Sequence, residues 1–254
     1  MNLPTVKAAS GADLLACARA AARNVLGLVR DAEVLAGAGS TARACSLAAL
    51  AVEECGKALC LTCLAVLPRT LRTQAPVGRM LEWHQLKQVG GLLVAAVQID
   101  EPGLAVRLAA MPATQMTQIL TTLSAPADES DRIKQRGLYV DMDRTGRICE
   151  PAQITRTELT SLLARARRAA ASAALMLGPA AQARLARPPA EVTELASALV
   201  TALTGSRNPR TPEAAAHMML NAVTNLRDTM TTTQSGTQGI GRQSDDPESN
   251  QHAP

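Results

Sequence analysis

Aromatic residues are almost absent from this sequence of 254 residues, which has no Phe, one Trp and one Tyr. The core therefore has to be built from aliphatic side chains, mainly those of Ala, Leu, Val and Met. Ala and Leu are strong helix formers, whereas strands prefer β-branched and aromatic residues. This composition predicts an all-α protein, in which small Ala side chains let helices pack closely.

Long apolar runs are also missing. The longest uncharged apolar stretches, such as residues 90–99, are far shorter than the ~20 residues that a membrane-spanning helix needs. The first seven residues show no charged segment followed by an apolar run, so no signal peptide is visible. We therefore expect a cytoplasmic protein that has no contact with the membrane.

The cysteines do not form a recognisable zinc or redox motif. Six are scattered along the chain, and Cys60 and Cys63 make a single C-x-x-C pair. No second pair follows at zinc-site spacing, and no βαβ pattern surrounds this one. We expect free, reduced core cysteines, no metal and no cofactor. Serine-hydrolase and phosphate-loop motifs are absent as well.

The net charge of +4 is too small to indicate nucleic-acid binding by itself. Several arginines nevertheless crowd one predicted helix, namely Arg156, Arg165, Arg167 and Arg168. A basic helix face can contact RNA phosphates, but a solvated face is the simpler explanation and the one that we favour.

Capping signals and helical periodicity predict an antiparallel hairpin at the start of the chain. Ser10, with Asp13 at the third helical position, predicts the start of a first helix. A glycine turn at residues 37–39 separates it from a second helix, which runs from residue 41 to Leu67. Tight turns of this kind join antiparallel helices.

Breaker residues predict the rest of the architecture. The expected elements are a loop over 68–77, a helix over 78–99 with a weak point at Gly90–Gly91, a helix over 102–123 interrupted by Pro112, an acidic loop over 124–130, a short extended segment over 137–141, and helices over 155–177, 192–203 and 212–230. We expect a helical domain over 10–177, a helical extension over 178–230 and a disordered tail over 231–254.

The first polar cluster, Glu53, Glu54 and Lys57, interrupts an apolar helix. Glu53 and Lys57 are spaced i, i+4, which predicts an ion pair between them. Charges on a central helix must be paired or face a cavity, because burying a lone charge is costly. Gly56 costs about 1 kcal/mol against Ala in a helix, and we expect it to admit the close approach of a helix or ligand. An ordinary structural ion pair is the alternative.

The second cluster contains Arg79, His84 and Lys87. Histidine titrates near neutrality and is a common general base, and the planar fork of arginine suits phosphate. On a straight helix Arg79 and His84 would point about 140° apart, so they converge only at a bend or across two subunits. Alternatively, His84 makes a local hydrogen bond while Arg79 and Lys87 pair with Glu82, Glu53 or Glu54.

The third cluster surrounds the single tyrosine, Tyr139, and is followed by Asp141. The single Trp83 lies in the second cluster, so the two aromatic residues both lie beside polar clusters. A carboxylate-rich metal site made of Glu53, Glu54, His84 and Asp141 is only weakly indicated, since a Glu-x-x-His pair is missing.

Together these segments resemble the AbiV-type abortive-infection proteins of the HEPN superfamily. The resemblance is carried by Glu53-Glu54-x-Gly56-Lys57, His84-x-x-Lys87 and Arg136-Gly-Leu-Tyr139-Val-Asp141, in this order within residues 12–175. It implies a HEPN-like helical bundle, a homodimer and a role in defence against phage.

Many HEPN domains are metal-independent ribonucleases with an Arg followed, after four to six residues, by a His. The resemblance therefore implies that Arg79 and His84 are catalytic. Lys87 would add a phosphate contact, and Glu53, Glu54, Lys57, Tyr139 and Asp141 would form a supporting polar network. RNA is then the expected partner. The alternative functions are non-catalytic binding of a phage or host protein, and binding of a small nucleotide.

Overall fold

The computed structural model describes residues 8–74, 81, 83–97, 111–139, 141–142, 145–146, 148–188, 190, 193–194, 196–197, 211–221 and 224. Its helices are α1 (Gly11–Gly37), α2 (Thr41–Val66), α3 (Arg69–Gln74), α4 (His84–Val97), α5 (Ala113–Leu138), α6 (Arg156–Leu177) and α7 (Pro179–Ala186). A further helical stretch covers 212–221. The predicted all-α bundle is confirmed.

Local capping signals define where two of the long helices begin. Ser10 and Asp13 form a reciprocal capping box at the start of α1, as predicted. Thr155 and Glu158 form a second capping box at the start of α6. Between α1 and α2, Gly39 adopts a φ of +79°, a left-handed conformation that glycine reaches without strain.

The central element is α2, because α1, α4, α5 and α6 all pack against it. Its buried face is rich in small side chains, including the fully buried Ala44, Ala48, Ala51 and Ala58. An aliphatic core of this kind is what the shortage of aromatic residues predicts.

Two glycines bring α2 and α4 into backbone contact. A Cβ atom on Gly56 would lie 1.8 Å from the Lys87 carbonyl oxygen, and one on Gly91 would lie 2.0 Å from the Val52 carbonyl oxygen. The close approach of a neighbouring helix to Gly56 is therefore confirmed. The predicted weak point at Gly90–Gly91 is wrong, because α4 continues through both residues as the packing partner of α2.

Two predicted loops are helical. The 68–77 loop contains α3, which begins directly after Pro68 because the Pro68 carbonyl accepts a hydrogen bond from the Arg72 amide. The predicted acidic loop over 124–130 lies inside α5, despite Pro126. There the Pro126 carbonyl accepts hydrogen bonds from Ser130 Oγ at 2.7 Å and from Arg165 Nη1 at 3.1 Å. The second of these bonds ties α5 to Arg165, although neither bond replaces the amide donor that the proline lacks.

Two further boundaries differ from the prediction. The helix predicted over 78–99 is not continuous, because Trp83 is not helical and α4 begins at His84. The extended segment predicted over 137–141 is shorter, since Gly137 and Leu138 belong to α5.

The extended segment forms a minimal hairpin after α5. Strand β1 (Asp141–Met142) pairs antiparallel with β2 (Ile148–Cys149), with Asp141 opposite Cys149. Gly146 in the turn has a φ of +81°. A 3₁₀ turn over Pro151–Gln153 then leads into α6.

Little of the predicted C-terminal region is described. Of the helix predicted over 192–203, residues 193–194 and 196–197 are helical. The predicted disordered tail over 231–254 lies outside the described residues.

Candidate functional site

Glu53 is the centre of a buried group of charges that joins three helices. Its Oε1 lies 2.6 Å from His84 Nδ1 and 2.8 Å from Lys87 Nζ, both on α4. Its Oε2 accepts a hydrogen bond of 3.0 Å from Lys134 Nζ on α5. Lys134 also lies 2.7 Å from Asp131 Oδ1. We call these five residues the Glu53 cluster.

Close helix packing holds the Glu53 cluster together. Each of the residues Glu53, Lys87 and Lys134 lies about one turn before a glycine at a helix contact, namely Gly56, Gly91 and Gly137. A Cβ atom on Gly137 would lie 2.5 Å from the Ala42 carbonyl oxygen on α2. Nearby, Ser46 Oγ donates a hydrogen bond of 3.2 Å to the Lys134 carbonyl. The three helices thus meet at positions where only glycine fits without displacement.

This arrangement stabilises the charged forms of two buried side chains, Glu53 and Lys134. Burial would raise the pKa of Glu53, but the Lys87 hydrogen bond and the Lys134 charge outweigh it and lower that pKa to about 2. Burial would lower the pKa of Lys134, but Asp131 and Glu53 raise it. Two carboxylates therefore balance two ammonium groups, and Glu53 is ionised at neutral pH.

His84 is the exposed member of the Glu53 cluster. Its side chain is 62% exposed, against 6% for Glu53 and 8% for Lys87. It is the first residue of α4 and follows the buried Trp83. A molecule approaching this surface therefore meets the imidazole, while the carboxylate and the ammonium groups lie beneath it.

The ion pair predicted between Glu53 and Lys57 is not formed. Lys57 Nζ instead lies 3.0 Å from Glu54 Oε1, one helical turn away, and Asn24 Nδ2 donates to Glu54 Oε2 at 3.3 Å. Adjacent residues on a helix point about 100° apart, so Glu53 faces α4 and α5 while Glu54 faces α1. Glu54 and Lys57 form a separate, half-buried pair, which we call the Glu54 pair.

The remaining candidate residues are distributed as follows. Arg79 lies outside the described residues. Tyr139 is 60% exposed and ends α5, where its amide donates to the Gln135 carbonyl. The backbone of Asp141 belongs to β1. Lys87 pairs with Glu53, as the alternative for this residue predicted, and its side chain is 8% exposed.

Lys134 and Asp131 are missing from the candidates that the sequence indicates. Their i, i+3 spacing is a signal that could have found them. The interpretation of the preceding residues as a loop hid this signal, because the spacing has meaning only on a helix.

Two of the crowded arginines on α6 form ion pairs with other helices. Arg165 Nη2 lies 2.6 Å from Glu129 Oε2 on α5, and Arg167 Nε lies 2.7 Å from Glu33 Oε1 on α1. These contacts favour a structural role for part of the basic face.

Metal ligands do not converge in the part of the chain that the structure describes, where no group of three or more His, Cys, Asp or Glu side chains could hold an ion. None of the five cysteines with described side chains forms a disulfide. Among the described helices, none combines the length and apolar character needed to cross a membrane.

A comparison with known families identifies this architecture. Residues 13–171 match the sequence model of the HEPN-type family AbiV, a span that contains the whole Glu53 cluster. No curated protein and no solved structure matches the chain. The match covers more than half of the sequence. The chain therefore belongs to the AbiV family of HEPN proteins, whose role is in abortive infection, a defence against phage.

Proposed function

We propose that this protein is a metal-independent ribonuclease of the HEPN type, in which His84 is the general base. The observation that carries the proposal is the position of His84, which is exposed above the buried Glu53, Lys87 and Lys134 side chains. A base must be reachable by its substrate and held in a fixed orientation. His84 meets both requirements.

The proposed reaction begins at the ribose of a bound RNA. His84 removes the proton from a 2′-hydroxyl group, and the resulting oxygen attacks the neighbouring phosphorus to form a 2′,3′-cyclic phosphate. The 5′-oxygen of the next nucleotide leaves and takes a proton from water. Arg79 stabilises the negative charge that develops on the phosphate. The family's spacing of Arg and His supports this assignment, since four residues separate Arg79 from His84.

The pairing of Arg79 with His84 requires a bend between them or a second subunit. On one straight helix the two side chains would point about 140° apart. Trp83 is not helical, and α4 begins directly after it at His84. A homodimer, in which the arginine of one subunit serves the histidine of the other, is a second way to bring them together.

A cleavage assay tests the proposal. Purified wild-type protein and His84→Ala are incubated with end-labelled RNA in the presence of EDTA. We expect His84→Ala to lose at least about 100-fold in rate, the contribution of a general base. The matched control is His217→Ala, which removes another exposed histidine from the stretch 212–221, outside the family match. Equal cleavage by wild type and His84→Ala would contradict the proposal.

The satisfied charges of the Glu53 cluster favour a second candidate, a non-catalytic protein that binds a phage or host protein. Both oxygens of Glu53 have partners, so the cluster also works as purely structural support. In that case His84→Ala, folded normally, keeps its protection against phage. Co-purification from infected cells then yields the same protein partner with the wild type and the variant.

A further inference from the structure

We infer that Glu53 is a positioning residue for the proposed base: it holds the His84 ring with the proton on Nδ1 and leaves Nε2 to accept the proton of the substrate. The inference rests on the proposed function for its chemical meaning. Its structural content, the tautomer of His84, can be measured without any RNA.

The contact between Glu53 and His84 has a defined donor. His84 Nδ1 and Glu53 Oε1 are 2.6 Å apart, which is a hydrogen-bond distance. An ionised carboxylate only accepts hydrogen bonds, so the proton must belong to Nδ1. The ordinary preference of a free imidazole in water is for the proton on Nε2, and the contact therefore reverses it.

The carboxylate is well fixed in this role. Lys87 on α4 and Lys134 on α5 each hold one of its oxygens, and the lowered pKa of Glu53 agrees with a permanent charge. The three helices involved are in contact at glycines, which leaves Glu53 little freedom to move. A carboxylate that orients a histidine in this way fixes both the tautomer and the direction of the ring.

The two lysines add a second effect, because Lys87 binds the same oxygen as His84. The groups facing the imidazole through Glu53 are Lys87 from α4 and Lys134 with its partner Asp131 from α5. Their charges sum to zero with that of Glu53. The cluster therefore orients the ring without placing a net charge beneath it.

The test is a long-range ¹H–¹⁵N correlation spectrum of the imidazole groups in the full chain. The chain has three histidines, and the spectrum of His84→Gln assigns the signal of His84. In the neutral form of the wild type we expect the proton on Nδ1 of His84. A wild-type spectrum with the His84 proton on Nε2 overturns the inference, and this arm uses a variant only to assign the His84 signal.

A pair of matched double variants provides the second arm. Glu53→Met with Lys87→Met removes one buried ion pair as a unit and leaves Lys134 paired with Asp131, so that no buried charge is stranded. We expect the His84 proton to return to Nε2 and the cleavage rate to fall at least about 10-fold. The control, Glu54→Met with Lys57→Met on the same helix, should change neither property. A His84 tautomer that is the same in both double variants overturns the inference.

The pH profile of cleavage distinguishes a change in the charges around His84 from a general loss of protein stability. In Lys87→Met, Glu53 is freed to stabilise the protonated imidazole, so the acidic limb of the profile should move to higher pH. An unmoved limb overturns the role assigned to Lys87. If the wild type shows the Nδ1 tautomer but never cleaves RNA, the proposed function fails while the orientation of His84 by Glu53 is supported.

Discussion

Glu53 and Glu54 are neighbours on one helix, yet they belong to two very different ion pairs. Glu53 is buried and bonds to residues that are 31 to 81 positions away in the sequence. Glu54 is half-buried and pairs with Lys57, three positions away. The Glu53 cluster joins three helices, whereas the Glu54 pair lies on α2 and reaches α1 through Asn24. The neighbouring helices therefore determine which partners each carboxylate has.

The difference between the two carboxylates originates in the packing of the bundle. Gly56, Gly91 and Gly137 let the backbones of α4 and α5 approach α2 on the side of Glu53. That approach excludes water and brings two ammonium groups to one carboxylate. On the other side Glu54 keeps contact with solvent, where ion pairs are weak.

The largest expected difference concerns stability. Glu53→Ala leaves the buried Lys87 ammonium group without its carboxylate partner and removes one of the two carboxylates of Lys134, so it should lower the free energy of unfolding by roughly 3–5 kcal/mol. Glu54→Ala removes a half-exposed pair and should cost less than about 1 kcal/mol. Urea unfolding followed by circular dichroism measures both values. Equal losses would mean that the two carboxylates do not differ as described.

Acid should weaken the protein through Glu53. Its folded-state pKa of about 2 lies below the ordinary value of 4.5. The stabilisation is thus fully present above pH 4.5 and is lost as the pH falls towards 2. The shift corresponds to roughly 3 kcal/mol. Unfolding free energies measured from pH 5 to pH 2 should decline less steeply for Glu53→Gln than for the wild type. Parallel curves would contradict this.

A third, smaller difference in unfolding free energy is expected between glycines at helix contacts and glycines away from them. Gly91→Ala places a methyl group against the Val52 carbonyl and should cost about 1–3 kcal/mol of unfolding free energy. Gly27→Ala is the matched control, because nothing lies within 4 Å of its Cβ position in α1. It should stabilise the protein by about 0.5–1 kcal/mol. Thermal unfolding distinguishes the two, and a neutral Gly91→Ala would contradict the close contact of α2 with α4.

The smallest expected effect belongs to the Glu54 pair. Lys57→Ala should change the unfolding free energy by less than about 1 kcal/mol, and 1 M salt should reduce the difference further, because screening weakens exposed charges. A loss above 2 kcal/mol in urea unfolding at both salt concentrations would show that the Glu54 pair is also structural.

Local signals predict the parts of the fold that depend on local interactions. The Ser10–Asp13 capping box, the glycine turn and the start of α6 at Thr155 follow from residues within a few positions of each other. The helix through Pro126 does not, because the local rule that proline breaks helices predicts a loop where α5 continues.

At the candidate site, the sequence predicts some features and misses others. Composition indicates that the charges at Glu53 and Glu54 need partners, and Gly56 indicates a close neighbour. The i, i+4 rule assigns Lys57 to Glu53, but the packing of α4 and α5 supplies Lys87 and Lys134 instead. A sequence shows which charges need partners, and the helix that delivers the partner depends on the whole bundle.

The most direct test of the Glu53 cluster is a pair of double-mutant cycles in the free energy of unfolding. One cycle combines Glu53→Gln with Lys87→Met, and the other combines Glu54→Gln with Lys57→Met. We predict a coupling energy of about 2 kcal/mol or more in the first cycle and less than about 0.5 kcal/mol in the second. A coupling between Glu53 and Lys87 as small as that between Glu54 and Lys57 would contradict the buried cluster on which the proposed site rests.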